Sequence, residues 1–331
     1  MHELLARLRR RHEFWLVVVI VALIVFLSLA TPAFLTLRNL ADLLTANAFI
    51  GILCAGLIVV LVSGGIDISF TAIATVTQYV ALSVANAYGA NWLTLFLMAG
   101  VLGIALGLIN AYFIGKLRIH SIIVSIATLN IFYGLLIFFT GGDYIYTLPN
   151  FFAVGVNWFE FEGADRIPYA INLQMLLLVL SFVLTWAILN RTNVGRQIYA
   201  MGGNPDAARR LGFPVFRLHC FVYGYMGFIA GVASLAQAQF AQSVAPTILV
   251  GKELDVLAAV VLGGARLLGG VGTVFGTLLG VTLLALLQNG LVLLGVSSFW
   301  SQFVTGIVIL AAVTATALEA RRQHQARRPR R

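Results

Sequence analysis

The chain has 331 residues, of which 60% are hydrophobic and 10% charged, and its mean hydropathy is +0.97. Soluble domains carry roughly a quarter charged residues, so composition excludes water as the main solvent of this chain and points to lipid. A net charge of +9 would suggest nucleic acid or acidic lipid for a soluble protein. Here its placement along the chain is the informative quantity, and no nucleic-acid partner is expected.

A spanning helix needs about 20 mostly apolar residues. Taken in chain order, the runs that meet this are Phe14–Ala30, Thr45–Val62, Ile68–Ala87, Trp92–Ile114, Ile119–Thr140, Ala170–Leu189, Leu218–Ala238, Val271–Leu294 and Trp300–Leu318. The first follows a basic stretch without an obvious small-residue cleavage site, so it is expected to remain as a helix. A tenth block, Leu254–Gly264, is apolar but short, and as a helix it covers only about half the hydrocarbon core. The fold class expected is an all-α integral membrane protein of about ten helices. It would form a single domain: helices over 14–189, a loop over 190–217, helices over 218–318 and a basic tail over 319–331.

The positive-inside rule orients it. With the N-terminus cytoplasmic and all ten blocks crossing, 18 of the 21 Lys and Arg residues lie inside. These include Arg7, Arg9, Arg10 and Arg11, the loop arginines Arg191, Arg196, Arg209, Arg210 and Arg217, and the six arginines after Leu318. Arg38, Arg166 and Lys252 are left outside, with Asp143, Glu160, Glu162 and Asp165 in the long outer loop. Both termini are therefore expected in the cytoplasm. The same rule makes the short block cross, because otherwise the basic tail would lie outside. Its Gly263-Gly264 and Gly269-Gly270 pairs leave two readings open: irregular backbone around a water-filled path, or close helix packing through glycine. A short echo, Val59-Val60-Leu61 before Gly64-Gly65 and Val260-Val261-Leu262 before Gly263-Gly264, fits a duplicated origin.

No phosphate-binding loop, zinc-protease, dithiol or hydrolase-elbow motif occurs. If ATP is used, another subunit hydrolyses it, and no cofactor or metal is expected. His120 and His219 have no second histidine at ligand spacing. Cys54 and Cys220, both in apolar runs, read as small buried hydrophobes. Trp15, Trp92, Trp158 and Trp300 read as interfacial anchors.

Asp67, in SGGIDIS (63–69), is the one acid near a helix core. It reads either as an N-cap of the helix from Ile68 or as a solute contact. The helix it precedes carries Ser69, Thr71, Thr75, Thr77, Gln78, Ser83 and Asn86. These hydroxyls and amides would either line a path for a sugar-sized solute or bond neighbouring helices. Candidate path residues are Asn47, Ser63, Gly64, Gly65, Asp67, Ser69, Phe70, Gln78, Gln237, Gln288 and Asn289, with Asn110, Asn130, Gln239 and Gln242 of similar type. In the basic loop, Asn204-Pro205-Asp206-Ala207-Ala208-Arg209-Arg210-Leu211 has the marks of a short helix. A capping Asn204, an early acid, late arginines and the stop Gly212 bound it. It would either dock into a soluble partner or rest on lipid headgroups.

Four stretches resemble a known family. SGGIDIS at 63–69, GRQIYAMGGNPDAARRLG at 195–212, LAAVVLGGARLLGGVGTVFGTLLG at 257–280 and TGGDYIYTLP at 140–149 are similar to segments of the permease subunit of bacterial ABC importers of the ribose/monosaccharide type, which includes autoinducer-2 permeases. One departure is Phe70-Thr71, where the family commonly has Val-Gly. The resemblance implies a multi-pass protein of the bacterial inner membrane, moving a monosaccharide or similar small polar solute inward. It implies a periplasmic solute-binding protein, cytoplasmic ABC ATPase subunits and a second permease subunit as partners. The 204–212 helix would be the coupling element, with Gly202, Gly203, Asn204, Asp206, Ala207, Ala208, Arg209 and Gly212 meeting the ATPase. Two rivals are a proton- or sodium-coupled secondary transporter, for which only Asp67 qualifies as an intramembrane acid, and a membrane enzyme, for which no polar catalytic cluster is found.

Overall fold

The fold is taken from a computed structural model that describes residues 12–162 and 168–297, together with residues 300, 302–304, 306, 307, 310 and 314. Helices dominate, and their starts follow capping chemistry. Helix α1 covers His12–Ala30 and α2 covers Leu37–Val62. Thr36 caps α2 by accepting from Asn39 N at 3.2 Å. That cap carries the helix well before Thr45, through the polar turn that holds Arg38 and Asp42. Helix α3 is Phe70–Tyr88 and ends at Gly89, whose φ is +77°. A reciprocal capping box between Asn91 and Thr94 opens α4, Trp92–Gly115. Helix α5, Ser121–Thr140, stops at the left-handed Gly141.

The stretch before the sixth expected span departs from the helical reading. After the short α6, Asn150–Val154, strands β1 (Asn157–Glu162) and β2 (Pro168–Asn172) pair antiparallel. Residues 170–172 therefore belong to a hairpin, and α7 begins at Leu173 and runs to Arg191. Helices α8 (Asn193–Gly203) and α9 (Pro205–Arg210) follow, capped by Thr192 and Asn204. Then come α10 (Val215–Ala241), α11 (Lys252–Leu262) and α12 (Val274–Leu293).

Seven of the described helices are long and apolar enough to cross a membrane: α1, α2, α4, α5, α7, α10 and α12. Helix α3 is not in that set, because its hydroxyls and amides dilute its apolar character. The span expected at 300–318 and the arginines before His12 and after Leu318 lie largely or wholly outside the described residues, as do Asp165 and Arg166.

Helices α2 and α10 form the centre. Of their apolar windows 78% and 72% are buried, against 17% for α1 and 28% for α4. The outer helices thus turn apolar side chains outward, as a lipid-facing surface requires. The α4–α10 contact is the most extensive in the fold. Gly103 and Gly107 of α4 lie against the backbone at Gly227 and Tyr223, and Gly231 of α10 lies against Ala99. A methyl group at Gly103 would run into the Gly227 carbonyl oxygen. Small residues here let two backbones approach, the usual solution for helices in lipid.

Helix α11 rises about 16 Å at 1.5 Å per residue, half a bilayer core. It packs on α12 by the same device. A Cβ on Gly263 would lie 2.5 Å from Gly276 O, and Gly280 lies against Ala259 O. For the pair Gly263-Gly264, close packing is the reading the structure supports.

Candidate functional site

The candidate path residues fall into three places. At the end of the bundle where α2 begins, a cavity of about 400 Å³ opens between α2, α10, α12 and the turn before α11. Asn47, Gln237, Gln288 and Asn289 all line it, beside Asp42 and Lys252. Its polar groups are mostly carboxamides. Asn289 and Asn39 exchange amide bonds of 2.8 and 3.1 Å, which fixes that wall. Gln237 Oε1 is buried without a hydrogen-bond partner among the described residues. The volume is within the range of small-molecule sites, roughly 300–1,000 Å³.

The second place is a buried polar cluster. Asp67 and Ser69 are both 0% exposed. Asp67 Oδ1 accepts from Ser69 N at 2.8 Å and from Ser69 Oγ at 2.7 Å. Ser69 Oγ in turn accepts from Asn110 Nδ2 of α4 at 2.7 Å. The N-cap reading of Asp67 is corrected here. The helix starts at Phe70, its N-cap is Ser69, and no side-chain cap bond forms. Asp67 instead closes a turn two residues earlier, through its bonds to Ser69 N and Oγ. Phe70 is fully buried in the core and lines neither end cavity.

Along α3, Thr71 Oγ1 donates to Glu253 Oε1 of α11 at 3.2 Å. Glu253 is 6% exposed, and its second oxygen has no partner among the described residues. Glu253 is not among the candidates read from the sequence, where a buried first-turn acid and an exposed one such as Asp255 look alike. Gln78, a candidate path residue, is also 0% exposed, with both amide atoms unpartnered. It reaches neither cavity.

The third place is at the opposite end. A cavity of about 360 Å³ is lined by Ser63, Gly64 and Gly65 together with Gly202, Gly203 and Arg209. It thus joins candidates from the 63–69 motif to candidates from the basic loop. Helix α9 stands at its edge. Asn204 Oδ1 accepts from Ala207 N at 2.9 Å, Pro205 takes the first position, and Gly212 has φ +80°. Arg209 pairs with Asp206 at 3.4 Å on the exposed side. Ala208 alone faces inward, at 1% exposure, so Asp206, Ala207 and Arg209 are presented to whatever lies beyond this end. His120 and His219 are near this cavity, and no group of three metal-ligating side chains exists among the described residues.

Residues 39–313 match the family described as branched-chain amino acid transport system / permease component. The chain belongs to that family. Among curated relatives, the ribose import permease protein of Escherichia coli K12 is 33% identical over 296 residues, 89% of this chain and 91% of that protein. The ribose import permease protein of Bacillus subtilis is 37% identical over 303 residues, covering 88% of each chain. An L-arabinose ABC transporter permease protein of Azospirillum brasilense is 33% identical over 299 residues, 90% of this chain and 85% of its own length. The likeness extends across both cavities and the loop between them. This chain is a multi-pass permease component of the ABC importer kind, resident in the inner membrane.

Proposed function

We propose that this permease carries a monosaccharide, or a polar solute of similar size, from periplasm to cytoplasm. The observation that carries the reading is the joint placement of two sites on one pair of central helices. A carboxamide-lined cavity opens at one end, and a capped, basic helix projects at the other. Carboxamides both donate and accept hydrogen bonds, which suits a ligand made of hydroxyl groups. The relatives named for ribose and L-arabinose support the same class.

The cytoplasmic end would be the one with α9. Arg118 and Arg209 line the cavity there, while Lys252 lines the opposite one. This supports the α9 end as the cytoplasmic side; both termini in the cytoplasm and ten crossings, with α11 as a half-length one, belong to the same proposal. Separate ATPase subunits would grip α9 through Asp206, Ala207 and Arg209, with Asn204 and Gly212 fixing its ends. A periplasmic solute-binding protein would deliver solute to the other end, and a second permease subunit would complete the path. Ion coupling has less support, since the relatives are named as import and ABC transporter permeases.

Co-expression with candidate ATPases tests this reading. The ATPase should co-purify with the wild type and be lost from the doubly substituted Ala207→Glu, Arg209→Glu permease, whose membrane part remains monodisperse. Equal recovery from both would place the docking face elsewhere.

A further inference from the structure

Glycines from three segments far apart in the sequence meet at one point of the fold. Gly64 follows α2, Gly202-Gly203 close α8, and Gly269-Gly270 lie in the turn between α11 and α12. A Cβ on Gly202 would collide with Val62 O and lie 2.8 Å from Gly270 N. On Gly269 it would lie 2.5 Å from Gly64 Cα and 2.8 Å from Gly202 O, and on Gly270 2.8 Å from Gly203 Cα. Backbone rests on backbone from all three sides. Two hydrogen bonds lock the crossing. Gly270 N donates to Val62 O at 2.9 Å, and Tyr199 Oη donates to Gly272 O at 2.7 Å.

We propose that this crossing is the joint through which movement of α9 reaches the Asp67 turn, with Gly202 and Tyr199 as its positioning residues. The inference rests on the reading of α9 as the ATPase-docking helix. Only Gly203 and the cap Asn204 separate Gly202 from α9, and only Gly65 and Ile66 separate Gly64 from Asp67. A contact between side chains yields by rotamer changes, whereas touching backbones displace one another. A shift of α8–α9 is therefore passed to Gly64 and to the α11–α12 turn together. Packed elements move between discrete arrangements in this way. Glycine at Gly202 serves transmission: a methyl there would hold α8 away from α2 and open slack in the joint.

The test uses the complete permease–ATPase complex in nanodiscs, with a reporter cysteine at Asn47 in the opposite cavity and Cys54→Ala and Cys220→Ser as background. Labelling by a membrane-impermeant maleimide is timed with and without ATP and vanadate, and ATP hydrolysis is measured in parallel. In the wild type and in Gly134→Ala, where the added methyl meets nothing, ATP should change the labelling rate several-fold. Gly202 is buried in the crossing and not on the exposed α9 face expected to meet the ATPase, so in Gly202→Ala the ATPase should still bind and hydrolyse ATP while the ATP effect on labelling is lost. Tyr199→Phe removes one hydrogen bond without added bulk, so it decides the matter if Gly202→Ala does not assemble. It should reduce the ATP effect by at least half. Wild-type ATP effects in both variants, or in Tyr199→Phe where only it assembles, overturn the joint. Failure of the wild type to recruit any ATPase would instead overturn the docking reading, and the inference with it.

Discussion

Substitution of Asp67 separates a structural carboxylate from a solute-binding one. Asp67 Oδ1 holds both Ser69 N and Ser69 Oγ, and all three groups are buried. In Asp67→Ala the Ser69 hydroxyl is free to rotate and still accepts from Asn110 Nδ2. The Ser69 N–H cannot turn, because its direction is set by the backbone that starts α3. One stranded buried donor costs about 1–3 kcal/mol, and membrane interiors favour the lower end of such figures. We expect a loss of about 1–2 kcal/mol, seen as a fall of a few degrees in Tm in detergent.

Asp67→Asn keeps the oxygen that accepts from Ser69 and removes only the charge. Its stability should stay within about 0.5 kcal/mol of wild type, and solute uptake in cells should persist if the carboxylate only shapes the turn. Thermal unfolding read beside uptake gives the answer. An Asn variant as unstable as the Ala variant would refute the hydrogen-bond reasoning, since charge would then be what the site needs. A stable Asn variant without uptake would instead make the charge a participant in transport.

Three further outcomes follow from the geometry. Asn204→Ala removes the α9 cap at a cost of about 1 kcal/mol, which should weaken ATPase binding roughly fivefold, while Asn204→Asp should restore it in a pull-down titration. Gln237→Met removes one carboxamide from the cavity wall at nearly constant volume; the apparent KM for solute should rise about 2- to 13-fold, the worth of one hydrogen bond, with ATPase recovery unchanged. Gly103→Val should force α4 off α10 and abolish the monodisperse peak in size-exclusion chromatography, whereas Gly134→Val, on an open helix face, should leave it intact.

Hydropathy located the helices because lipid imposes a length, yet it misjudged their ends where capping or pairing decides. Thr36 extends α2 through Arg38 and Asp42, and the hairpin partner of β1 takes residues 170–172 from α7. Helix α9 was legible to the residue, since a cap, a proline, an acid, two arginines and a glycine stop are local signals. The cavities were not, because each is walled by segments about 200 residues apart in sequence, and a single sequence carries no record of that proximity. Asn47, Gln237, Gln288 and Asn289 were chosen for their chemistry, and tertiary packing brings them together. Glu253 escaped because hydrophobic runs mark where lipid is, and a buried acid facing Thr71 looks the same in sequence as an acid in a turn.

The two cavities share α2 as a wall, and this constrains how a solute can pass. Asn47 and Ser63 are 16 residues apart on α2, about 24 Å along its axis. Between them every residue from Ile52 to Val62 is buried and apolar. No chain of polar partners along α2 joins the two ends, so a hydroxyl-rich solute would lose its hydrogen bonds along that wall, at a cost of several kcal/mol. The α2 wall itself thus offers no standing polar path, and motion of the helices is what the proposed passage would use. The glycine contacts fit such a motion. They are dense where α4 meets α10 and α11 meets α12, which packs each pair closely, and again at Gly64, Gly202 and Gly269, where backbone rests on backbone from three segments. A bundle stiff within its pairs and coupled through one hydrogen-bonded crossing is what an externally driven permease needs.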